Sequence, residues 1–191
     1  MQKNGCEPVY LGKAGDSVEE ITLLLEKGLM TCDALLLTGG VSAGDYDLTP
    51  AAMERAGIHI LVQGVGMKLG MACAYGEKDG KTIYELSGNP ASALTGFYAV
   101  VMPVLRKLAG QNDFIPQEIT VTLADDFPKK SRCTRLLRGR LDITDGIARI
   151  RISPKQGNVV ISSAIGCDVL AIIPAGSGSL SAGTPLKGFL I

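Results

Sequence analysis

The hydrophobic periodicity of this chain changes once, near Gly110, and that change limits the folds open to it. Before Gly110, continuous apolar runs such as "DALLL" alternate with segments whose apolar residues recur at helical spacing, as in sheets covered on both faces. After Gly110, short segments alternate apolar and polar residues with period two. The pattern predicts a three-layer α/β domain over residues 1–110 and a small all-β barrel or sandwich over residues 116–191.

Several segments carry local signals for helices and turns. Ser17 and Glu20 form a capping-box pair that predicts a helix start, and Gly28 predicts its end. Asp79-Gly80 and Asp145-Gly146 predict tight hairpin turns. Further predictions are strands in "EPVYL" and "VVISSAI", a short helix capped by Thr49, and a long helix after Asn89 that bends near Pro103.

Composition excludes some classes of function. The formal net charge is zero, so no overall basic field is available to hold nucleic acid, and the cluster from Lys129 to Arg140 is typical of a solvated edge. Five scattered cysteines without a Cys-x-x-Cys pair predict reduced thiols in a cytoplasmic protein. No apolar run reaches membrane-spanning length. His59, the only histidine, lies in a strand-like run, where a packing or edge position is favoured over catalysis.

The stretch "TGGVSAGDYD" follows an apolar strand and precedes a helix, which is where open α/β sheets bind ligands. It offers two kinds of hydrogen-bond donor to an anion such as phosphate. Gly39, Gly40 and Gly44 leave backbone N–H groups accessible, and Thr38 and Ser42 add side-chain hydroxyls. The carboxylates of Asp45 and Asp47 would repel that anion unless a cation lay between them, which favours Mg²⁺. The alternative is a tight turn whose aspartates cap the helix that begins near Pro50.

A second strand-to-helix loop, "LSGNPAS", has the same arrangement. Gly88 opens the backbone, and a helix starts at or just after Pro90 with Asn89 as its cap, which would leave N–H groups for an anion. Lys68, just past another strand, could add positive charge to the same sheet edge. The alternative is ordinary helix capping and a solvated lysine. The sequence contains no P-loop and no Gly-x-Gly-x-x-Gly, so the standard NTPase and dinucleotide sites lack support.

In their order and spacing, "TGGVSAGDYD", "MKLG", "SGNPASAL" and "VMPVLRKLAG" resemble the motifs of the molybdopterin molybdenumtransferase family. That family includes the bacterial MoeA proteins and the E domain of gephyrin, and the resemblance extends into the β-rich tail. It implies a MogA-like, molybdopterin-binding α/β domain followed by a C-terminal β-barrel. Members of the family insert molybdate into molybdopterin, using adenylylated molybdopterin and Mg²⁺, with hydrolysis of the adenylate.

The resemblance also implies roles for the residues at matching positions. Asp47 would hold the metal or position the attacking water, Asp45 would be a supporting charge, and Lys68 would neutralise an anionic ligand. Two groups would form the walls of the substrate site: Thr38, Gly39, Gly40, Ser42 and Gly44 around the phosphate, and Gly88, Asn89, Pro90 and Ser92 opposite them.

The chain departs from the family pattern at three prolines, which are replaced by Leu69, Ala72 and Ser87. Because proline fixes φ, these replacements are expected to relax loops that a phosphate site needs rigid. Family members also carry two further domains before this region, and their α/β domain begins with a strand and a Gly-Asp-Glu loop. The resemblance therefore implies a C-terminal part of an enzyme, with an α/β domain that lacks its first strand.

The resulting hypothesis is that this chain binds pterin phosphate weakly and does not catalyse alone, because family active sites also draw residues from other domains and from a dimer mate. The full-length protein would be a cytoplasmic homodimeric enzyme, with molybdate and tungstate both open as the oxyanion. The alternative is a non-catalytic molybdopterin-binding or scaffolding protein. An unrelated sugar-phosphate or nucleotide enzyme would explain the loops but not their spacing.

Overall fold

The secondary structure divides at the segment between residues 109 and 117. The computed structural model describes residues 1–39, 48–68, 73–153, 156 and 161–191. Before the division lie helices α1 (Val18–Thr31), α2 (Thr49–Arg55), α3 (Pro90–Gly96) and α4 (Met102–Leu108), and strands β1 (Ala34–Thr38), β2 (His59–Gln63), β3 (Met67–Lys68), β4 (Cys73–Lys78) and β5 (Lys81–Leu86). After it lie strands β6 (Glu118–Leu123), β7 (Thr134–Thr144), β8 (Ile147–Ile152), β9 (Val169–Ile173) and β10 (Pro185–Leu190).

Four strands of the first half form a mixed sheet in the order β1-β5-β4-β2. β1 pairs in parallel with β5, whereas β5 and β2 are both antiparallel to β4. Helices α1 and α2 cover one face of the sheet, where Leu35 and Ile83 are buried. Helices α3 and α4 lie on the other face, where Leu86 and Val101 are buried. The three-layer α/β architecture predicted from the sequence is therefore confirmed.

The long apolar segment after Asn89 is helical but not uniform. Residues Phe97–Val101 form a π-helical stretch between α3 and α4, and Pro103 lies in the first turn of α4. Proline lacks an N–H and its ring clashes with the preceding turn, so the wider turn just before it makes room for the ring. The bend predicted near Pro103 stays a prediction, and the structure shows this π-helical stretch just before the proline.

The second half closes into a five-stranded barrel. Its strands follow the order β7-β8-β6-β10-β9, and β9 pairs back with β7. β7 has 11 residues and uses them for both neighbours, since Arg135 to Gly139 pair with β9 and Gly139 to Thr144 pair with β8. The predicted barrel is confirmed, and the sandwich alternative is wrong.

Strand β3 belongs to the first half in sequence but to the barrel in structure. Met67 and Lys68 pair in parallel with Thr134 and Arg135 of β7. The two halves are therefore joined by strand pairing as well as by the chain itself. We propose residues 1–110 and 116–191 as the limits of the two units, with β3 as the segment of the first that reaches the second.

Both predicted hairpin turns are confirmed. Asp79 and Gly80 have φ of 50° and 75°, and Asp145 and Gly146 have φ of 54° and 73°. These left-handed values suit the two-residue turns that join strongly twisted strands. Aspartate and glycine adopt them more easily than other residues do.

Three predictions of strands or helix caps are wrong. Residues 7–11 form no strand, Val9 and Tyr10 are 58% and 86% exposed, and no strand of the described residues pairs with them. The predicted strand "VVISSAI" contains a 3₁₀ turn at Ile161–Ala164, and its first two residues lie outside the described residues. Thr49 is inside α2 rather than at its cap, and Leu48 takes the cap position.

Helix α1 begins as predicted and ends later. Ser17 Oγ accepts a hydrogen bond from Glu20 N at 3.1 Å, and the Glu20 carboxylate accepts one from Gly15 N at 2.7 Å. Gly28 does not end the helix, because it lies inside the last full turn. A Cβ at Gly28 would collide with a methyl group of Leu35 and lie 2.8 Å from Leu11 Cδ1. Gly28 is therefore a point of close packing between α1 and β1.

Candidate functional site

The candidate site lies where β1 and β5 end. The two strands are parallel and in register, with Thr38 opposite Leu86. Their loops therefore leave the sheet at the same edge and side by side, as the carboxyl ends of parallel strands do. Thr38 is exposed at this edge.

Two glycines meet at this edge. Gly39 has a φ of 96°, and its N–H donates to the carbonyl of Leu86 at 3.1 Å. A Cβ placed on Gly88 would lie 3.2 Å from Gly39 Cα, which is tighter than nine in ten real Cβ contacts. The two loops thus touch through bare backbone, and a side chain at position 88 would have to push them apart. Such backbone surfaces let an anion approach N–H groups closely.

The second loop is held by a hydroxyl rather than by a proline. Ser87 is 6% exposed, and its Oγ accepts a hydrogen bond from Asn89 N at 3.2 Å. This bond restrains the turn at the position where the family pattern has proline. Asn89 occupies the cap position of α3, but its side chain makes no capping bond, and Pro90 is the first helical residue.

The other predicted site residues are distributed as follows. Gly88, Asn89 and Pro90 are exposed, whereas Ser92 is 3% exposed and packed within the first turn of α3. Lys68 is exposed on β3, beside the barrel strand β7. Five predicted residues lie outside the described residues: Gly40, Ser42, Gly44, Asp45 and Asp47. Leu69 and Ala72, two of the three proline replacements, also lie outside them.

The basic cluster is not wholly solvated, which corrects the sequence-based expectation. Arg138 is 1% exposed and Arg135 is 8% exposed. The Arg138 guanidinium donates to Ala91 O and Thr95 Oγ1 of α3, at 3.3 Å each, and to Ser163 Oγ at 2.7 Å. Burial lowers the pKa of Arg138. Sequence reasoning missed this residue, although period-two alternation in "TRLLRGR" places Leu137 and Arg138 on opposite faces of the strand.

A buried carboxylate also escaped the sequence analysis. Glu85 is 0% exposed and immediately precedes Leu86 at the end of β5. It is the second factor, after burial, that raises the pKa of the Cys73 thiol. Nothing in the local sequence distinguishes it from an exposed strand residue.

Within the part of the chain that the structure describes, no cluster of three or more His, Cys, Asp or Glu side chains could hold a metal ion. The aspartates assigned to a metal on sequence grounds, Asp45 and Asp47, are not among those residues. The helices that are described are all too short or too polar to cross a membrane.

Comparison with known proteins identifies the fold. Residues 1–107 match the family model described as "Probable molybdopterin binding domain", and residues 120–187 match "MoeA C-terminal region (domain IV)". A structure of the molybdopterin biosynthesis MoeA protein from Pyrococcus horikoshii superposes with a TM-score of 0.78 and 25% identity, covering 99% of this chain and 45% of that chain. A molybdenum cofactor biosynthesis protein from Pyrococcus furiosus shares the fold, with a TM-score of 0.74, 24% identity, and coverage of 100% of this chain and 61% of that chain.

Curated relatives point to the same class. A molybdopterin molybdenumtransferase of Staphylococcus aureus strain Mu50 is 31% identical over 184 residues, or 95% of this chain and 43% of its own length. One of Staphylococcus epidermidis is 32% identical over 169 residues, or 88% of this chain and 40% of its own length. The fold is thus a molybdopterin-binding α/β domain followed by a small barrel. The chain belongs to the MoeA family, and it spans less than half the length of these relatives.

Proposed function

We propose that this chain binds molybdopterin, or adenylylated molybdopterin, at the carboxyl ends of β1 and β5. In the longer protein that its relatives represent, this site would serve the insertion of molybdate during molybdenum cofactor biosynthesis. The observation that carries the proposal is the contact between Gly39 and Gly88, because it leaves a backbone surface that a phosphate group can approach. Membership of the MoeA family supports the choice of a pterin phosphate over other anions.

The proposed roles are those that the resemblance to the family implies. Lys68 would neutralise part of the anionic charge of the ligand. The remaining residues would form two walls, with Thr38, Gly39, Gly40, Ser42 and Gly44 around the phosphate and Gly88, Asn89, Pro90 and Ser92 opposite them. Because Ser92 is buried, its contribution would be to hold the wall in shape rather than to touch the ligand.

Magnesium is proposed on the chemistry of its donors. Asp47, with Asp45 beside it, offers carboxylate oxygens next to a phosphate-binding loop, and Mg²⁺ prefers one or two carboxylates together with phosphate oxygens and water. Bound there, the ion would offset the charge of the phosphate groups. Asp47 would hold the ion or orient the water that attacks the adenylate.

Binding and catalysis are separate parts of this proposal. The chain spans 43% of the Staphylococcus aureus relative, so the whole protein's activity, its cytoplasmic location and its homodimeric state are proposals for the longer protein. For the chain alone we expect pterin binding without molybdate insertion. Detectable insertion by the purified chain would contradict that expectation.

The deciding experiment is an anaerobic titration of the chain with molybdopterin, with and without Mg²⁺. We expect Mg²⁺ to tighten binding on the order of tenfold and Asp47→Ala to abolish that gain. Asp113→Ala, which removes an exposed aspartate outside both loops, is the matched control and should behave as wild type. Binding that is indifferent to Mg²⁺ and to Asp47 would favour the non-catalytic binding or scaffolding protein. Absence of binding would refute the proposed function.

A further inference from the structure

Strand β7 contributes to the barrel core with one face and contacts helix α3 with the other. Leu137 is 0% exposed and belongs to the core of the barrel. Arg138, the next residue, points to the opposite face because successive strand residues alternate. There it is 1% exposed and contacts α3, on the other side of the division between the two halves.

Arg138 contacts helix α3 at Ala91, in its first turn, and at Thr95, one turn further on. Its Nη1 donates to Ala91 O and to Thr95 Oγ1, at 3.3 Å each, and Thr95 Oγ1 itself donates to Ala91 O at 2.8 Å. Ala91 is the second residue of α3 and lies two residues after Asn89. The guanidinium is thus bonded directly to the helical turn that follows the Gly88 loop.

The backbone and the other end of Arg138 are also fixed. Nη2 donates to Ser163 Oγ at 2.7 Å, in the 3₁₀ turn Ile161–Ala164 of the barrel half. The Gln156 side chain bonds both polar groups of the Arg138 backbone, accepting from its N–H at 3.2 Å and donating to its carbonyl at 2.6 Å. A buried guanidinium is costly unless it is well bonded, so a side chain held on both sides has few alternative positions.

The same strand also positions Lys68. Lys68 pairs with Arg135, three residues before Arg138. The residue of β7 that pairs with β3 and the residue that contacts α3 are therefore about 10 Å apart along the strand. Three segments are assigned to the ligand site: residues 38–44, Lys68 and residues 88–92. The second and third of these are therefore attached to a single strand of the barrel.

We propose that Arg138 is a positioning residue, which fixes the Gly88–Ser92 loop for ligand binding by anchoring the first turn of α3 to β7. The ligand in this inference is the one in the proposed function, on which it rests. The barrel would then be part of the site's framework, although none of its residues is assigned to touch the ligand.

The test compares hydrogen–deuterium exchange of folded variants without ligand, followed by molybdopterin titration. In Arg138→Met, we expect the hydrogen-bonded amides of residues 93–95, the first of which donates to Asn89 O, to exchange roughly tenfold faster, while Val169–Ile173 in the barrel keeps its protection. Arg138→Lys, which keeps the positive charge but lacks the planar guanidinium with its several fixed donors, should restore part of the protection. Arg140→Met, which changes an exposed arginine on the same strand, should leave both regions unchanged.

Unchanged exchange at residues 93–95 in Arg138→Met would overturn the proposal, and so would an equal loss of protection in Val169–Ile173. If Arg138→Met does not fold, Thr95→Val replaces it, since that change removes one acceptor at the same anchor. Molybdopterin affinity should fall several-fold in whichever variant speeds exchange at residues 93–95, with wild-type affinity in Arg140→Met. A wild-type chain that does not bind molybdopterin refutes the proposed function, while the exchange data still decide whether Arg138 anchors α3.

Discussion

At the scale of single residues, Gly88 is a position where adding one methyl group is expected to change both stability and ligand affinity. Alanine at Gly88 would bring its Cβ within 3.2 Å of Gly39 Cα, an obstacle made of backbone that cannot rotate away. We expect Gly88→Ala to lower the free energy of unfolding by roughly 1 to 3 kcal/mol. Molybdopterin affinity should fall as well, because the β1 and β5 loops must separate. Urea denaturation and ligand titration measure the two effects.

The chain offers a matched control for that substitution. Gly178 has no atom within 4 Å of a Cβ built on it, so Gly178→Ala should be nearly neutral in both measurements. Equal stability of the two variants would show that the contact between Gly39 and Gly88 is looser than described.

The raised pKa values of three partly or fully buried side chains predict a loss of stability in alkali. Burial raises the pKa of Cys73, Cys167 and Tyr84 above their ordinary values. Above about pH 8.5 the unfolded chain therefore releases protons that the folded chain retains, and the free energy of unfolding falls as pH rises. Urea denaturation near neutrality and at about pH 10 measures the slope. The double variant Cys73→Ala, Cys167→Ala should make the free energy of unfolding depend less steeply on pH. An unchanged slope would show that the two thiols do not cause the loss of stability.

Residue-scale prediction from sequence succeeds where the cause is local. Asp79-Gly80 and Asp145-Gly146 form turns because their own φ preferences select them. The sequence predicts a solvated edge for Arg138 because its partners, Ala91 and Thr95, are more than forty residues earlier in the chain. Only the fold brings them together.

At the scale of elements, the packing of α1 on β1 predicts that a better helix former destabilises the protein. Alanine favours helix over glycine by about 1 kcal/mol. At Gly28, however, its Cβ would collide with Leu35, which is 5% exposed, and crowd Leu11. We expect Gly28→Ala to cost about 1 kcal/mol or more in net unfolding free energy, measured by urea denaturation.

A double-mutant cycle separates crowding from helix propensity. Combined with Leu35→Val, which shortens the opposing side chain, Gly28→Ala should be less harmful than it is alone. Lys27→Ala, at an exposed position of the same helix, is the control and should change stability by less than about 0.5 kcal/mol. Stabilisation by Gly28→Ala alone would refute the packing argument.

The elements that sequence reasoning placed wrongly are those that depend on a neighbour. Ser17 starts α1 through a bond to Glu20, three residues away, so its signal is complete in the sequence. Residues 7–11 have strand composition, but a strand also needs a partner, and no described strand lies against them. Ile161–Ala164 forms a 3₁₀ turn in which Ser163 meets Arg138, a contact that its β-like composition does not reveal.

At the scale of the whole molecule, the contacts between the two halves predict a single unfolding transition. β3 pairs with β7, and Arg138 bonds to α3, so opening either half exposes buried groups of the other. All five tyrosines precede Gly110, so tyrosine fluorescence reports on the first half, and hydrogen exchange in Val169–Ile173 reports on the barrel. We expect both probes to give the same urea midpoint. Two separate midpoints in the wild-type chain would show that the halves unfold independently.

The architecture of the whole chain was predictable, but the contacts between its two halves were not. The change of periodicity at Gly110 indicated two units, and the motifs around Gly39 and Gly88 indicated the family. The attachment of Met67–Lys68 to the barrel was not foreseen, because a two-residue strand carries no periodic signal.

The three pairings of β7 have a consequence for how this chain can change in length. Side chains on a strand alternate, so inserting or deleting one residue within Thr134–Arg138 would exchange the faces of everything beyond it. Leu137 would leave the barrel core as Arg138 entered it, and the bonds to α3 would be lost in the same event. A point substitution along β7 changes the contacts of one side chain, whereas a single-codon insertion there would damage the barrel, the domain contact and the ligand loop together.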